Sequence, residues 1–267
     1  MAAKAARPPR KGPATAVPKA PDSPSKGAAP APTAPTSSAA LEAGTVHVAA
    51  SRGHAEQIGS LVLLDGVESR NDKGLTPLMV AAEANQPAAC EQLVKAGGDL
   101  EAKDPRGVTA LMHAALNNRL QAAKVLCAAS ADPNTRDAEG RTSLMYSCMR
   151  GSKDLVEVLL GAKGMANIKD QEGQTALMYA SRNGLAANVA VLLDQKANPD
   201  VQSAEGSAAL HLAATSQRAS CVSVLVRRGA SQTILDGLGQ TPAVIAEKRG
   251  YTRILTALNP PEDSDGE

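Results

Sequence analysis

Thr109-Ala110-Leu111-Met112, Thr142-Ser143-Leu144-Met145 and Thr175-Ala176-Leu177-Met178 are three statements of one string, and their threonines stand 33 residues apart. The slot reads Thr76 one period earlier, in Thr76-Pro77-Leu78-Met79, and Ala208 and Thr241 later, so the 33-residue interval holds across five successive steps. A fixed period of this length marks a repeat array, in which each unit is one supersecondary element unable to bury its apolar face alone. Units must therefore stack, and the product is an extended surface suited to recognition more than to chemistry.

Within a unit the order of signals is constant. Each opens on D/N-x-x-G-x-T, as in Asp137-Ala138-Glu139-Gly140-Arg141-Thr142. There the glycine supplies a left-handed turn and the threonine hydroxyl caps a helix. Ser203 and Ala208 replace the Asp and Thr of one unit, and losing that cap costs on the order of 1 kcal/mol. A short helix follows, with Leu111, Ala114 and Ala115 spaced to face the stack. Gly151, Gly184, Asn85 and Asn118 then stand where a left-handed residue stops it. The second helix carries an apolar stripe, clearest in Leu155-Val156 with Leu159-Leu160, which reads as core.

The composition fits thin, closely approaching helices: three Tyr and no Phe or Trp leave the core to Ala, Leu, Val, Ile and Met. Cys90, Cys127, Cys148 and Cys221 fall in different units without C-x-x-C spacing, so they read as small core residues in a reducing compartment. The net charge of +1 conceals basic Lys and Arg near the start and acids at the end, with a balanced middle that makes no nucleic-acid-binding stripe. No apolar run reads as a signal peptide or membrane span.

The expected organisation is a disordered basic Pro/Ala-rich tail over 1–40, an array over 41–258, and an acidic tail over 259–267. The array divides into 41–70, 71–103, 104–136, 137–169, 170–202, 203–235 and 236–258, the first and last being atypical caps. In the first tail Pro21-Asp22-Ser23-Pro24-Ser25-Lys26 contains a P-x-x-P string and makes Ser23 a candidate phosphorylation site; Arg7-Pro8-Pro9-Arg10-Lys11 is a weak nuclear address.

The unit pattern D-x-x-G-x-T-P-L-H-x-A-A-x-x-G over 33 residues resembles the ankyrin repeat, across about Leu41 to Leu258. The resemblance implies an all-α solenoid of stacked helix-turn-helix units with short β-turn or hairpin fingers. The family's histidine slot reads Met79, Met112, Met145, Met178, His211 and Val244, so His211 alone keeps an imidazole to tie helix to loop, and looser loops are expected at the four methionines. The resemblance further implies a protein partner on the concave face, met by finger residues and the ends of the first helices. The candidates are Arg106, Arg141, Met149, Arg150, Glu172, Gln174, Arg182 and Asn183, Arg and Met being enriched at interfaces. Leu75 and Val108 are further finger candidates, and Asn134 and Asn167 occupy a slot resembling one hydroxylated in some ankyrin proteins.

The function expected is a non-enzymatic adaptor or scaffold, monomeric and cytoplasmic with a nuclear fraction as a second location. The alternative is a regulatory or inhibitory subunit of an enzyme or transcription factor, controlled through the N-terminal tail. His47, His54, His113 and His211 form no H-E-x-x-H string, and neither a P-loop nor G-x-S-x-G occurs, so no catalytic, metal or cofactor residue is assigned.

Overall fold

The computed structural model describes residues 45–259. The tail with Ser23 and the basic string, and the acidic end after Asn259, lie outside the described residues. Fourteen helices follow in seven pairs among the described residues: α1 (Val46–Arg52) with α2 (Ala55–Asp65), α3 (Pro77–Glu83) with α4 (Pro87–Lys95), α5 (Ala110–Leu116) with α6 (Leu120–Ala128), α7 (Ser143–Arg150) with α8 (Lys153–Gly161), α9 (Ala176–Asn183) with α10 (Ala186–Asp194), α11 (Ala209–Thr215) with α12 (Ala219–Arg227), and α13 (Pro242–Lys248) with α14 (Thr252–Leu258). Each odd-numbered inner helix packs on the next inner helix, and each outer helix on the next outer one. The chain is an all-α solenoid.

The inner helices begin where the threonines stand. Thr76, Thr109 and Thr175 accept the backbone N–H three residues on at 3.4 Å, and Thr241 does so at 3.3 Å. Each satisfies one of the donors that a helix start leaves without a partner. Thr142 departs, making no side-chain cap bond to α7. Behind the cap, Leu78, Leu111, Leu144, Leu177 and Leu210 are each 1% exposed, so the string's leucine is core in every full unit.

The methionine slot is equally buried, at no more than 1% exposure for Met79, Met112, Met145 and Met178. His211 does tie helix to loop: its Nδ1 accepts the Ala208 N–H at 3.2 Å and its Nε2 lies 3.1 Å from the Gln240 carbonyl. The imidazole thus takes up a donor where the Thr cap is missing. His211 is not alone, however. His47 Nε2 lies 3.0 Å from the Leu75 carbonyl and 3.1 Å from that of Ser69, so the first unit also keeps an imidazole in this slot, hidden in the sequence by its one-residue offset.

Left-handed residues end the inner helices where expected: Gly151 and Gly184 at φ 94° and 79°, Asn85 and Asn118 at 58° and 55°. A second left-handed slot, not foreseen from the sequence, closes the outer helices, and there Ser130, Lys163 and Lys196 hold φ of 70°, 69° and 61°. Gly97 and Gly229 fill the same slot in other units at no steric cost.

Polar ties fix the register between units. Arg70, Lys103, Arg136, Lys169 and Gln202 each donate to the carbonyl 33 residues on. Between fingers, the N–H groups of Ala138, Gln171, Ala204 and Gly237 donate to Arg106, Glu139, Glu172 and Glu205 at 2.8–2.9 Å. Pro105 occupies this slot at the earliest finger junction and has no N–H to give, so that junction lacks the bond. Close approach makes Gly173 obligatory. A Cβ on it would lie 2.9 Å from the Ala204 nitrogen, and its φ is 73°.

One core slot is mismatched. Asn188 is 1% exposed with no partner for its Nδ2 among the described residues, where other units place Ala89, Ala122, Leu155 and Cys221.

Three expectations follow for urea unfolding of the full chain. Lys163→Gly raises stability by about 1 kcal/mol through relief of the left-handed strain. Gly173→Ala lowers it by more than about 1 kcal/mol. Asn188→Leu raises it by roughly 1 kcal/mol, and a loss instead would mean that the buried amide has a partner.

Candidate partner-docking face

The fingers are organised by the acid or amide that opens each unit. One Oδ1 accepts two backbone N–H groups, two and four residues on: Asn71 from Lys73 and Leu75, Asp104 from Arg106 and Val108, Asp137 from Glu139 and Arg141, Asp170 from Glu172 and Gln174. This turn geometry is local to Asp and Asn, and Ser203 manages a single bond, to Ser207, at 3.3 Å.

In the three central units the second carboxylate oxygen reaches across to the inner helix. Asp137 Oδ2 accepts the Tyr146 hydroxyl at 2.6 Å, and Asp170 Oδ2 that of Tyr179 at 2.7 Å. Asp104 Oδ2 lies 3.3 Å from His113 Nε2, close but without hydrogen-bond alignment. Each pair is separated by nine residues, and His113, Tyr146 and Tyr179 share one helical slot 33 residues apart. This row was missed in the sequence, though the signal was present: two of only three tyrosines keep the repeat period.

Arginines pack on the row. Arg141 Nε donates to Asp137 at 3.0 Å, the same guanidinium pairs with Glu139, and it lies 5.0 Å over the Tyr146 ring. Arg182 lies 6.0 Å over the Tyr179 ring. Burial, then the bond to Asp137, pushes the Tyr146 phenol up to about 12, and burial with Asp170 also pushes Tyr179 up. Burial lowers the His113 pKa more than the Asp104 charge raises it, favouring a neutral ring. For Asp104, burial acts upward but is outweighed by the N–H groups of Val108 and Arg106 together with the Arg106 guanidinium and the nearby His113 ring, so it stays ionised.

The residues singled out by sequence fall into three groups. Arg106, with a side chain 62% exposed, and the exposed Arg150 border one cavity of about 420 Å³ together with Lys73 and His113. Arg141, Met149 and Arg182 are half-buried, Met149 against the core, while Glu172 and Asn183 are exposed. Asn183 Nδ2 reaches the carbonyls of Cys148 and Met149 at 3.3 and 3.4 Å, joining α9 to α7. Gln174, at 7% exposure, is a buried brace whose Nε2 donates to Glu172 at 2.8 Å. It shares a core slot with Leu75 at 6% and Val108 at 0%, so these three do not present themselves on the face.

Asn134 and Asn167 lie on the outer loops and bridge units. Their Oδ1 atoms accept the N–H groups of Met165 and Asn198 at 2.7 and 2.8 Å. Their Nδ2 groups donate to the carbonyls of Lys163 and Lys196 at 3.1 and 3.3 Å. Glu68, Glu101 and Asp200 accept from the next unit in the same way.

The tyrosine contacts have a measurable signature. A phenol ionising near 10 when unfolded and near 12 when folded leaves stability unaffected below about pH 10 and lowers it as pH rises from there toward 12. Tyr146→Phe removes a hydrogen bond to a charged acceptor, costs roughly 1.5 kcal/mol, and flattens that alkaline decline. Spectrophotometric titration of tyrosinate alongside urea unfolding checks both.

Comparison with known proteins is consistent throughout the array. No protein in a search of curated proteins matches. Among solved structures, the ankyrin repeat domain of Bcl-3, described as a unique member of the IkappaB protein family, superposes with a TM-score of 0.72 at 27% identity, over 80% of this chain and 98% of that one. The family model for ankyrin repeats in three copies matches residues 46–137, 130–203 and 187–265, and the chain belongs to the ankyrin repeat family.

Proposed function

We propose that this chain is a non-enzymatic adaptor that binds a protein partner on the face made by its fingers and inner-helix ends. Ankyrin repeats form protein-interaction domains, which supplies the class. The observation that carries the assignment of the face is the pair of half-buried guanidiniums of Arg141 and Arg182, packed over the rings of Tyr146 and Tyr179. Arg is among the residues that most often carry interface energy, and here each guanidinium rests on a phenol that a finger carboxylate fixes before any partner arrives. Burial also pushes the Cys90 and Cys148 thiols up to about 12 and Cys221 to about 11, which disfavours the nucleophilic thiolate and supports the non-enzymatic reading. Among the described residues no helix is long and apolar enough to cross a membrane. We take the adaptor to act as a monomer in the cytoplasm, with a nuclear fraction tested by cell fractionation.

A second reading, a regulatory or inhibitory subunit, draws support from the likeness to Bcl-3 and its stated family. Addition of the full chain to a captured partner separates the two, since an adaptor leaves the partner's own activity unchanged and a regulator alters it.

In a pull-down with the full chain, Arg182→Ala weakens capture of the partner by roughly tenfold or more, as truncation of an interface arginine does. Lys124→Ala, on the exposed side of α6, leaves capture unchanged. The opposite pattern overturns the proposed face.

A further inference from the structure

Resting on that docking reading, we propose that the cavity bordered by Lys73, Arg106, His113 and Arg150 takes an acidic side chain of the protein partner. A neighbouring aliphatic residue of the same segment packs on Pro105 and Leu116, which line the same cavity. Its volume of about 420 Å³ is enough for one or two side chains.

The charge bookkeeping favours an anion. Asp104 is the buried acid of the cavity, and its bonds are already committed: Oδ1 to two backbone N–H groups and Oδ2 to Arg106. It does not neutralise Lys73 or Arg150, both of which are exposed and make no ion pair within 4.0 Å among the described residues. Glu83 is the other acid lining the cavity, so the unpaired cations outnumber the unpaired acids. In the same wall His113 Nε2 is a buried polar atom with no hydrogen-bond partner among the described residues.

The rest of the array says where such an acid does not go. Lys73 and Arg106 hold the fingertip slot in the first two fingers, and Glu139, Glu172 and Glu205 hold it in the next three. An acidic segment is accepted at one end of the finger row and repelled along the next three fingers. The array as a whole is close to neutral, so this discrimination comes from local charge placement and not from net charge.

The test uses the full chain and a fluorescein-labelled peptide carrying Glu-Glu-Leu-Glu, with Gln-Gln-Leu-Gln as its uncharged analogue. Anisotropy should show saturable binding of the acidic peptide, at least about tenfold weaker for the analogue and for Arg150→Glu or Lys73→Glu, since a like charge placed opposite a bound acid is strongly unfavourable. Both substituted side chains are exposed and unpaired, so the variants keep the fold, which circular dichroism verifies. Glu172→Lys should leave binding intact or tighten it. Equal binding of the uncharged analogue, indifference to Arg150→Glu, or no saturable binding overturns the acid pocket. A photo-crosslinker at Asn183 separates the two levels. A natural partner that crosslinks there yet ignores Arg150→Glu removes the acid pocket and keeps the docking face. A partner that crosslinks only through the outer helices removes both.

Discussion

The inner helices bury one another with side chains no larger than leucine, methionine or tyrosine, and this contact is the one on which the other features rest. Each inner helix has a neighbour on both sides except at the ends, and none has an apolar face it can satisfy within its own unit. Pairs of alanines, such as Ala81 and Ala82 or Ala114 and Ala115, sit fully buried where backbones must come close. Stability in such an array is a sum over units and the interfaces between them. A defect such as the unpartnered amide of Asn188 is therefore tolerated, because the neighbouring interfaces continue to hold the unit in place.

Polar groups add register to this packing. Side chains 33 residues apart donate to the same carbonyl of the next unit, and in the outer loops Glu68, Glu101, Asn134, Asn167 and Asp200 accept a backbone N–H of the next unit. The imidazoles His47 and His211 lie toward the two ends of the array, while methionine fills their slot in the four units between. There the Asp-to-tyrosine bonds at residues 137 and 170 supply a different link from loop to helix, so the central fingers are still braced on their helices.

Much of this was legible in the sequence because it recurs. The T-x-L-M string gave unit length, helix start and core leucine, and the turn glycines gave the fingers, since both depend on residue types with few substitutes. What recurs imperfectly was harder to read. His47 was hidden by a one-residue offset, and Lys163 and Lys196 carry no sign of the left-handed backbone that glycine announces elsewhere. The slot of Gln174 looked like a fingertip, although Leu75 and Val108 in the same slot already pointed to burial. The Asp–Tyr pairs join a turn to a helix nine residues on, a separation that belongs to neither periodicity and emerges only from folded geometry.

Pro105 gives the array a mechanical asymmetry. The later finger junctions are sewn by a backbone hydrogen bond, so changing their spacing breaks it; the junction between Lys73 and Pro105 has none to break and is held by the side chain of Arg70 on the Lys103 carbonyl. Side-chain tethers pivot where backbone ladders do not. Compliance is thus concentrated at the two fingers that flank the cavity, while the finger row beyond them behaves as a stiff ruler. On the docking proposed above, a segment seats itself by a small splay at one end without disturbing the spacing of the charges along the rest.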